Sequence, residues 1–499
     1  MRAGAASITG QGHTRAHTQG QGARGWWPVC LAVVLSLLAA LPVVVARYPQ
    51  MSDYPAHLAR YHVMLDAGRS PYLAKWYSFE WAWTGNLGVD ILIRPFAALF
   101  GLEPGGRIIV ALIAVLSGLG LVAVEWALRR RVSIGTLLAM TTIWSPMLLM
   151  GLINYGLGQM LALWVFALWV WMDRHPAARH WRPTAMAPLG LATWLCHMSA
   201  WGVLGIMVLG YEISQRRHWR ALFAPWPLAL PVLAMALGHT TSADMSYGTS
   251  VWAYKRGIWL MGMRDSAYMF DSISLRIVGL AVFSALVMRR FDWRLGLAGF
   301  GLVVASLVVP RHISGGDFAD FRLVSSALMV LCMAIDWPLP GFALPLAASF
   351  YLARLVVTTL SWQADSDETA HILTALDHVP MGANVASAVL IGRSDWQIDH
   401  FGHIGTYVVV RRDGLSNANF AVAHIHMLHL RHDGYVDPSH RLILRDDQPV
   451  DLAHFEPARG ADYLWYVGRR EPSRLPAGAV VVWRWQHNLL LRLPPAPSA

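Results

Sequence analysis

Long apolar stretches separated by short arginine-bearing segments dominate the chain. Windows of apolar residues fall at 27–46, 107–128, 134–150, 155–172, 188–197, 200–213, 222–238, 277–288, 295–309, 323–335 and 342–360. A helix of about 20 apolar residues spans a bilayer, so the pattern predicts about eleven crossings of a polytopic α-helical membrane protein. The first window, WWPVCLAVVLSLLAALPVVVA, has an apolar core longer than that of a secretory leader and reads as an uncleaved anchor. With the N-terminus inside, RRR at 129–131, DRHPAARHWR at 173–182, QRRHWR at 215–220 and RRFDWR at 289–294 occupy four successive cytoplasmic loops. That agrees with the rule that Lys and Arg are retained on the cytoplasmic side. The assignment requires LATWLCHMSAWGVLG to be two short helices meeting near residues 197–200, because a single span would carry QRRHWR outside.

Beyond residue 361 the pattern changes. Runs of β type, VASAVLI, TYVVVRR, HRLILR, YLWYVG and AVVVWRW, follow a helical segment, DSDETAHILTALDHV. An odd number of crossings places residues 362–499 outside, as an extracytoplasmic mixed α/β domain long enough to hold its own core. Residues 1–26, rich in Gly, Gln, Thr and His, predict a disordered cytoplasmic tail. Residues 27–361 form the transmembrane domain. Within it, residues 47–106 make an extracytoplasmic loop too long for a plain connector.

Composition agrees with a membrane protein: 55% of the 499 residues are hydrophobic, 14% are charged and 24 are Trp. The formal charge of +10 is carried largely between spans, which removes the argument for a nucleic-acid partner. Cys30, Cys196 and Cys332 all sit in apolar runs, so no disulfide framework is implied. No Walker A, GxGxxG or GxSxG pattern occurs, which leaves nucleotide hydrolysis and serine-hydrolase chemistry without support.

The 47–106 loop opens on YPQMSDYPAHLARYH, with Asp53, His57 and Arg60 directly after the first span. Leu58, Tyr61, Met64 and Leu65 recur at helical spacing, which predicts a helix on the membrane surface with one face buried. A second interfacial helix is predicted in GVDILIRPFAALFG, where Arg94 and Pro95 interrupt an apolar run. Ser52 or Asp53 stands where an N-cap belongs. A carboxylate at the outer surface beside a histidine one turn on is also suited to taking a proton from a hydroxyl.

With its SDYPAHLAR segment, the loop acid, the two surface helices, the many spans and the terminal α/β domain, the chain resembles the GT-C superfamily of polyprenol-dependent glycosyltransferases. It is most similar to the protein O-mannosyltransferase and lipid A aminoarabinose transferase branch. The resemblance implies that Asp53 is the catalytic base or a metal ligand. The sequence departs from members with two adjacent acids, since Tyr54 follows Asp53. That argues against a metal-bridged donor and against protein O-mannosylation.

The remaining candidates are substrate contacts. Asn154 and Tyr155 lie at the outer end of a span and suit sugar hydroxyls or helix capping. His197 lies at the turn between the two short helices. Lys255 and Arg256, in an outer loop rich in aromatic residues, and Arg322, at the outer start of a span, suit a lipid phosphate. Snorkelling and interfacial anchoring are the structural alternatives. His424, His426, His429 and His432, with His400 and His403 nearby, have spacing that permits zinc, without the Cys or HExxH pattern that would support it. No cofactor is implied with certainty, and a divalent metal stays open. The expected activity is inverting transfer of one sugar from a polyprenyl-phosphate donor to a glycan, lipid or protein acceptor on the outer face. A bacterial inner membrane, with residues 362–499 in the periplasm, is the expected setting. The rival reading is a transporter or scaffold of envelope assembly, which internal repeats and mid-span charges would favour.

Overall fold

The structure, a computed structural model, describes residues 26–216, 218–237, 244–313, 316–337, 342–392, 396–421, 427–431, 443–444 and 449–495. Helices α1 (Trp27–Leu38) and α2 (Leu41–Val45) form the first apolar rod. α3 (Tyr54–Asp66), α4 (Pro71–Trp76) and α5 (Gly88–Phe100) fill the following loop. Next come α6 (Leu102–Arg129), α7 (Ile134–Met140), α8 (Pro146–Leu149), α9 (Ile153–Arg174), α10 (Pro176–Arg179), α11 (Arg182–Cys196) and α12 (Met198–Arg216). The rest are α13 (Leu230–Leu237), α14 (Val251–Leu260), α15 (Tyr268–Val287), α16 (Trp293–Val308), α17 (Ala319–Met333), α18 (Ala343–Ile372) and α19 (Tyr407–Arg412).

Among the described residues, six helical stretches are long and apolar enough to cross a membrane: Trp27–Val45, Leu102–Arg129, Ile153–Arg174, Trp219–Ala236, Tyr268–Val287 and Ala343–His378. Each coincides with an apolar window of the sequence. The other windows fall on shorter or less apolar helices, α7, α8, α11, α12, α16 and α17. The 134–150 window is broken because Pro146, at the first position of α8, cannot donate into a continuing helix. α11 and α12 meet at His197, whose extended backbone (φ −166°, ψ 130°) ends one helix where the next begins.

α6 is the central strut, packed against α1, α5 and α9, while α12, α16 and α17 build outward from α9. Small residues let α6 and α1 cross closely: a Cβ on Gly118 would stand 2.7 Å from the Ser36 Oγ of α1. The two ends of α6 lie at two different polar faces. Glu103, in its first turn, takes a two-pronged bond from Arg411 at 3.0 Å. Arg129, in its last turn, pairs with Glu125 and with Asp292 at 3.0 Å. Twenty-eight helical residues separate these faces by about 42 Å, the depth of a bilayer with its headgroups.

At the Glu103 end stands a five-stranded sheet in the order 480–485, 488–492, 463–467, 384–389, 415–416. Its first three strands are antiparallel, and 384–389 runs parallel to both of its neighbours. α18 passes through residue 362 without a break, so the helical segment expected after that point is the continuation of a span. TYVVVRR, expected as a strand, is instead α19. Tyr407, Val408 and Val409 are buried and α19 packs on α3, so tertiary contact overrides the β preference of the valine run. Of HRLILR, residues 443–444 pair with 391–392 and the rest lies outside the described residues. α3 also differs from expectation: its residues from Tyr54 to Tyr61, with Val63 and Met64, are all buried, because α19 and the turn at 404–406 cover the face that a surface helix would show.

The two faces of α6 generate a topology test. Ala177 and Ala477 are exposed near opposite faces. Single cysteines there, in a chain lacking the native three, should differ toward an impermeant thiol reagent on intact spheroplasts, with position 477 labelled and 177 protected. The reverse pattern would invert the orientation.

Candidate active site

Asp53 occupies the N-cap position of α3, yet its carboxylate makes no capping bond to the helix. The turn is held by its backbone instead: the Asp53 N–H donates to the Met150 carbonyl at 3.0 Å, and its own carbonyl accepts from the His57 N–H at 3.0 Å. Met150 ends the α8 turn, so the carboxylate is fixed against the bundle while its side chain keeps 26% of its exposure. Gly151 makes this approach workable. Its φ of +92° suits glycine, and a Cβ would lie 2.8 Å from the Asp53 nitrogen and 2.9 Å from that of Tyr54.

His403 is the residue that the sequence did not connect with Asp53. Its Nε2 is 3.6 Å from Asp53 Oδ1, an electrostatic contact longer than a hydrogen bond. Its Nδ1 lies 2.5 Å from the Ala418 carbonyl. A carbonyl only accepts, so Nδ1 carries the hydrogen, and Nε2 is the atom left to exchange a proton on the Asp53 side. Phe420 stands edge-on to both His403 (4.9 Å) and His57 (5.1 Å), and His57 also stacks on Tyr61 at 6.0 Å. His57 is thus the aromatic wall of the carboxylate turn. The 350 residues between Asp53 and His403 explain why no spacing pattern could pair them.

Arg322 lies in the first turn of α17 and retains 8% exposure. Among the described residues it makes no ion pair, and its Nε is buried without a hydrogen-bond partner. Asp53 and His197 both lie within electrostatic reach of its guanidinium. Tyr155 fixes the backbone beneath it by donating its hydroxyl to the Arg322 carbonyl at 2.7 Å, and the same oxygen meets Ser326 Oγ at 2.7 Å. His197 stands edge-on to Tyr155 at 5.5 Å, with its Nδ1 accepting from the Ser199 N–H, which leaves Nε2 as the nitrogen that bears hydrogen in the neutral ring. Arg322, Tyr155, His197 and Asp53 are therefore neighbours.

The other candidates are differently placed. Lys255 Nζ is saturated, donating to Asp320 (2.6 Å) and to the carbonyls of Ser306 and Val309, with 1% exposure. It ties α14 to α16 and α17. Arg256, on the same helix, is exposed. Arg60 is buried against Asp90 at 2.8 Å. Asn154 donates to Asp90 at 3.1 Å and accepts from the Val89 N–H at 2.6 Å, so it starts α5 and joins it to α9. Arg60, Asp90 and Asn154 form one buried polar knot beneath α3.

A cavity of about 590 Å³ lies between the sheet and the 264–268 segment. Its lining includes Tyr268, Trp396, His400, Glu368, Arg264 and Arg469. Tyr268 and Trp396 meet edge-to-face at 4.9 Å, and Trp396 is anchored by its indole N–H on Asp271. Burial pushes the His400 imidazole down to about 4, so it is neutral at physiological pH. A narrower crevice shares His400, Gln397 and Ser266 with the cavity and runs past Gln50 and Leu149, which flank the Asp53 turn in sequence and in space. Burial lifts Asp265 in this crevice to about 6.

Among the described residues no group of three His, Cys, Asp or Glu side chains could hold a metal ion. His424, His426 and His432 lie outside the described residues, and His429 sits in the short strand 428–430.

No family model matches the chain, and no curated protein does. A solved structure does: ArnT from Cupriavidus metallidurans, crystallised bound to undecaprenyl phosphate. It is 12% identical, with a TM-score of 0.53 over 93% of this chain and 97% of that one. The chain shares the fold of that protein.

The Gly151 contact yields a stability test. Gly151→Ala combines an unfavourable φ with a backbone clash at Asp53 and should cost about 1–3 kcal/mol, read as a lowered melting temperature in detergent. Gly202→Ala, on α12 with nothing within 4 Å of the new Cβ, is the control and should leave the melt unchanged or slightly raised. Equal melts for the two variants would remove the packing role of Gly151.

Proposed function

We propose that the chain is an integral membrane glycosyltransferase that moves a sugar from a polyprenyl-phosphate donor to an acceptor hydroxyl on the outer face of the membrane. The observation that carries this reading is Arg322: a buried guanidinium with no ion-pair partner among the described residues, beside a half-accessible carboxylate at the end of the bundle. A buried unpaired charge is costly, and an incoming phosphate would relieve it. The fold shared with a protein crystallised with undecaprenyl phosphate supports the choice of a polyprenyl phosphate.

In this reading the acceptor hydroxyl attacks the anomeric carbon as the bond from that carbon to the phosphate oxygen breaks. The hydroxyl proton passes to Asp53, and the lipid phosphate leaves with the bonding electrons. Arg322 offers its planar fork to the phosphate, and the dipole at the N-terminus of α17 favours the anion. His403 Nε2 lies where it can hold the Asp53 carboxylate in line or relay its proton. Direct displacement inverts the anomeric centre. His57 lines the turn, and His197 with Tyr155 sets the position of Arg322. The cavity lined by Tyr268, Trp396 and His400 supports an acceptor that carries hydroxyls on a ring, since aromatic faces beside polar edges suit sugars. The eleven crossings and a periplasmic position for residues 362–499 belong to the same proposal.

Two substitutions test it. Asp53→Asn keeps the size of the side chain and removes the base. Sugar transfer by the purified protein from a polyprenyl-phosphate sugar should fall by roughly 10²- to 10⁴-fold while the protein stays monodisperse. Because Asp53 makes no capping bond, Asp53→Ala should cost less stability than the loss of a helix cap and be equally inactive. Near-normal transfer by the Asn variant would sink the base assignment.

Arg322→Lys keeps the charge and loses the fork. Affinity for the lipid phosphate should fall by about 1.5–3 kcal/mol, measured as binding of the polyprenyl phosphate alone. Unchanged binding would return Arg322 to a snorkelling role.

A further inference from the structure

At the opposite end of the bundle from Asp53, a second cavity of about 320 Å³ opens among the ends of α9, α10, α11 and α12 and the turns that follow them. Its polar lining is Arg179, Arg182, Arg216 and Arg220, and its floor is Trp169. Two carboxylates, Asp173 and Glu212, pair with three of these four guanidiniums. Arg182 lies 3.2 Å from both Asp173 and Glu212 and stacks over Trp169 at 4.2 Å. Arg216 reaches Glu212 at 2.5 Å and Asp173 at 3.7 Å, and Arg179 reaches Asp173 at 3.6 Å. Arg220 makes no ion pair among the described residues. The cavity thus holds a surplus of two positive charges, four guanidiniums against two carboxylates.

The rim has the opposite character. Trp219, Leu222, Phe223 and Trp226 project from the 3₁₀ turns at 219–223 and 226–229, each 56% to 65% exposed. Large aromatic and aliphatic side chains left uncovered beside a basic hollow belong at the boundary between headgroups and acyl chains. A free anion would use the arginines and gain nothing from this rim. A phospholipid uses both, with its phosphate among the guanidiniums and its chains along the rim.

We propose that this cavity binds the headgroup of an anionic phospholipid from the cytoplasmic leaflet. Arg182 and Arg216, held by the buried Glu212 and the partly buried Asp173, shape the hollow, while Arg179 and Arg220 at its mouth supply the charge that selects an anionic lipid. The site is independent of the transfer chemistry and stands whether or not Asp53 is a base.

The test uses the full-length protein in neutral detergent. Native mass spectrometry with equal amounts of phosphatidylglycerol and phosphatidylcholine should show preferential retention of phosphatidylglycerol. The double variant Arg179→Gln, Arg220→Gln leaves the pairs of Arg182 and Arg216 intact. It should lose retention by at least about fivefold, the factor expected for one charged contact. A thermal melt should rise with phosphatidylglycerol micelles and stay fixed with inorganic phosphate. Equal retention of the two lipids, or undiminished phosphatidylglycerol on the double variant, would overturn the site. Equal stabilisation by inorganic phosphate would overturn its assignment to a lipid.

Discussion

A buried guanidinium, that of Arg322, which makes no ion pair among the described residues, is the constraint on which the Asp53 end of the bundle depends. Other buried cations are paired within the protein: Lys255 with Asp320, Arg60 with Asp90, Arg354 with Asp271. Of these carboxylates Asp320 is the one within electrostatic reach of Arg322, and Lys255 takes it up. Asp320, two residues before Arg322 on the same helix, is fully occupied by Lys255 and by the Phe321 N–H. The turn is therefore locked in place while its guanidinium makes no ion pair among the described residues. Tyr155, reaching across from α9 to the Arg322 carbonyl, adds a fixed position to that guanidinium.

Asp53 is held by a different device. Its backbone is clamped to Met150 over a glycine, and its side chain is spared the capping duty its position would suggest. The helix it begins is sheathed on one side by α6 and on the other by α19 and the 404–406 turn. Through those contacts His403 and Phe420 arrive at a carboxylate that lies some 350 residues earlier in the chain. The site is thus assembled from the first loop, the membrane helices and the terminal region together.

What the sequence made legible follows from this. Apolar windows marked the six long helices, because length and hydrophobicity are local properties. The arginine loops resolved the break at His197 for the same reason. Asp53 and Arg322 could be singled out by their place at span ends. Their neighbours could not: His403 faces Asp53 only after the sheet has folded, and DHFGHIG carries no periodicity that points to a carboxylate. Lys255 and Asn154 resembled ligand contacts because a buried ion pair and a substrate clamp draw on the same residue types. Only their partners, Asp320 and Asp90, distinguish the two. The valines of 408–410 were read by intrinsic preference, which α3 overrides by offering them an apolar seat.

α18 is an unbroken rod of 30 residues, about 45 Å long, which starts among the bundle helices and ends beneath the sheet. Its far end cannot swing freely, since no hinge interrupts it. A tilt of about five degrees at the bundle end would carry the other end by about 4 Å. Whatever sets the angle of α18 among the bundle helices therefore also sets the place of Asp365, which accepts from Gln397 at 2.6 Å.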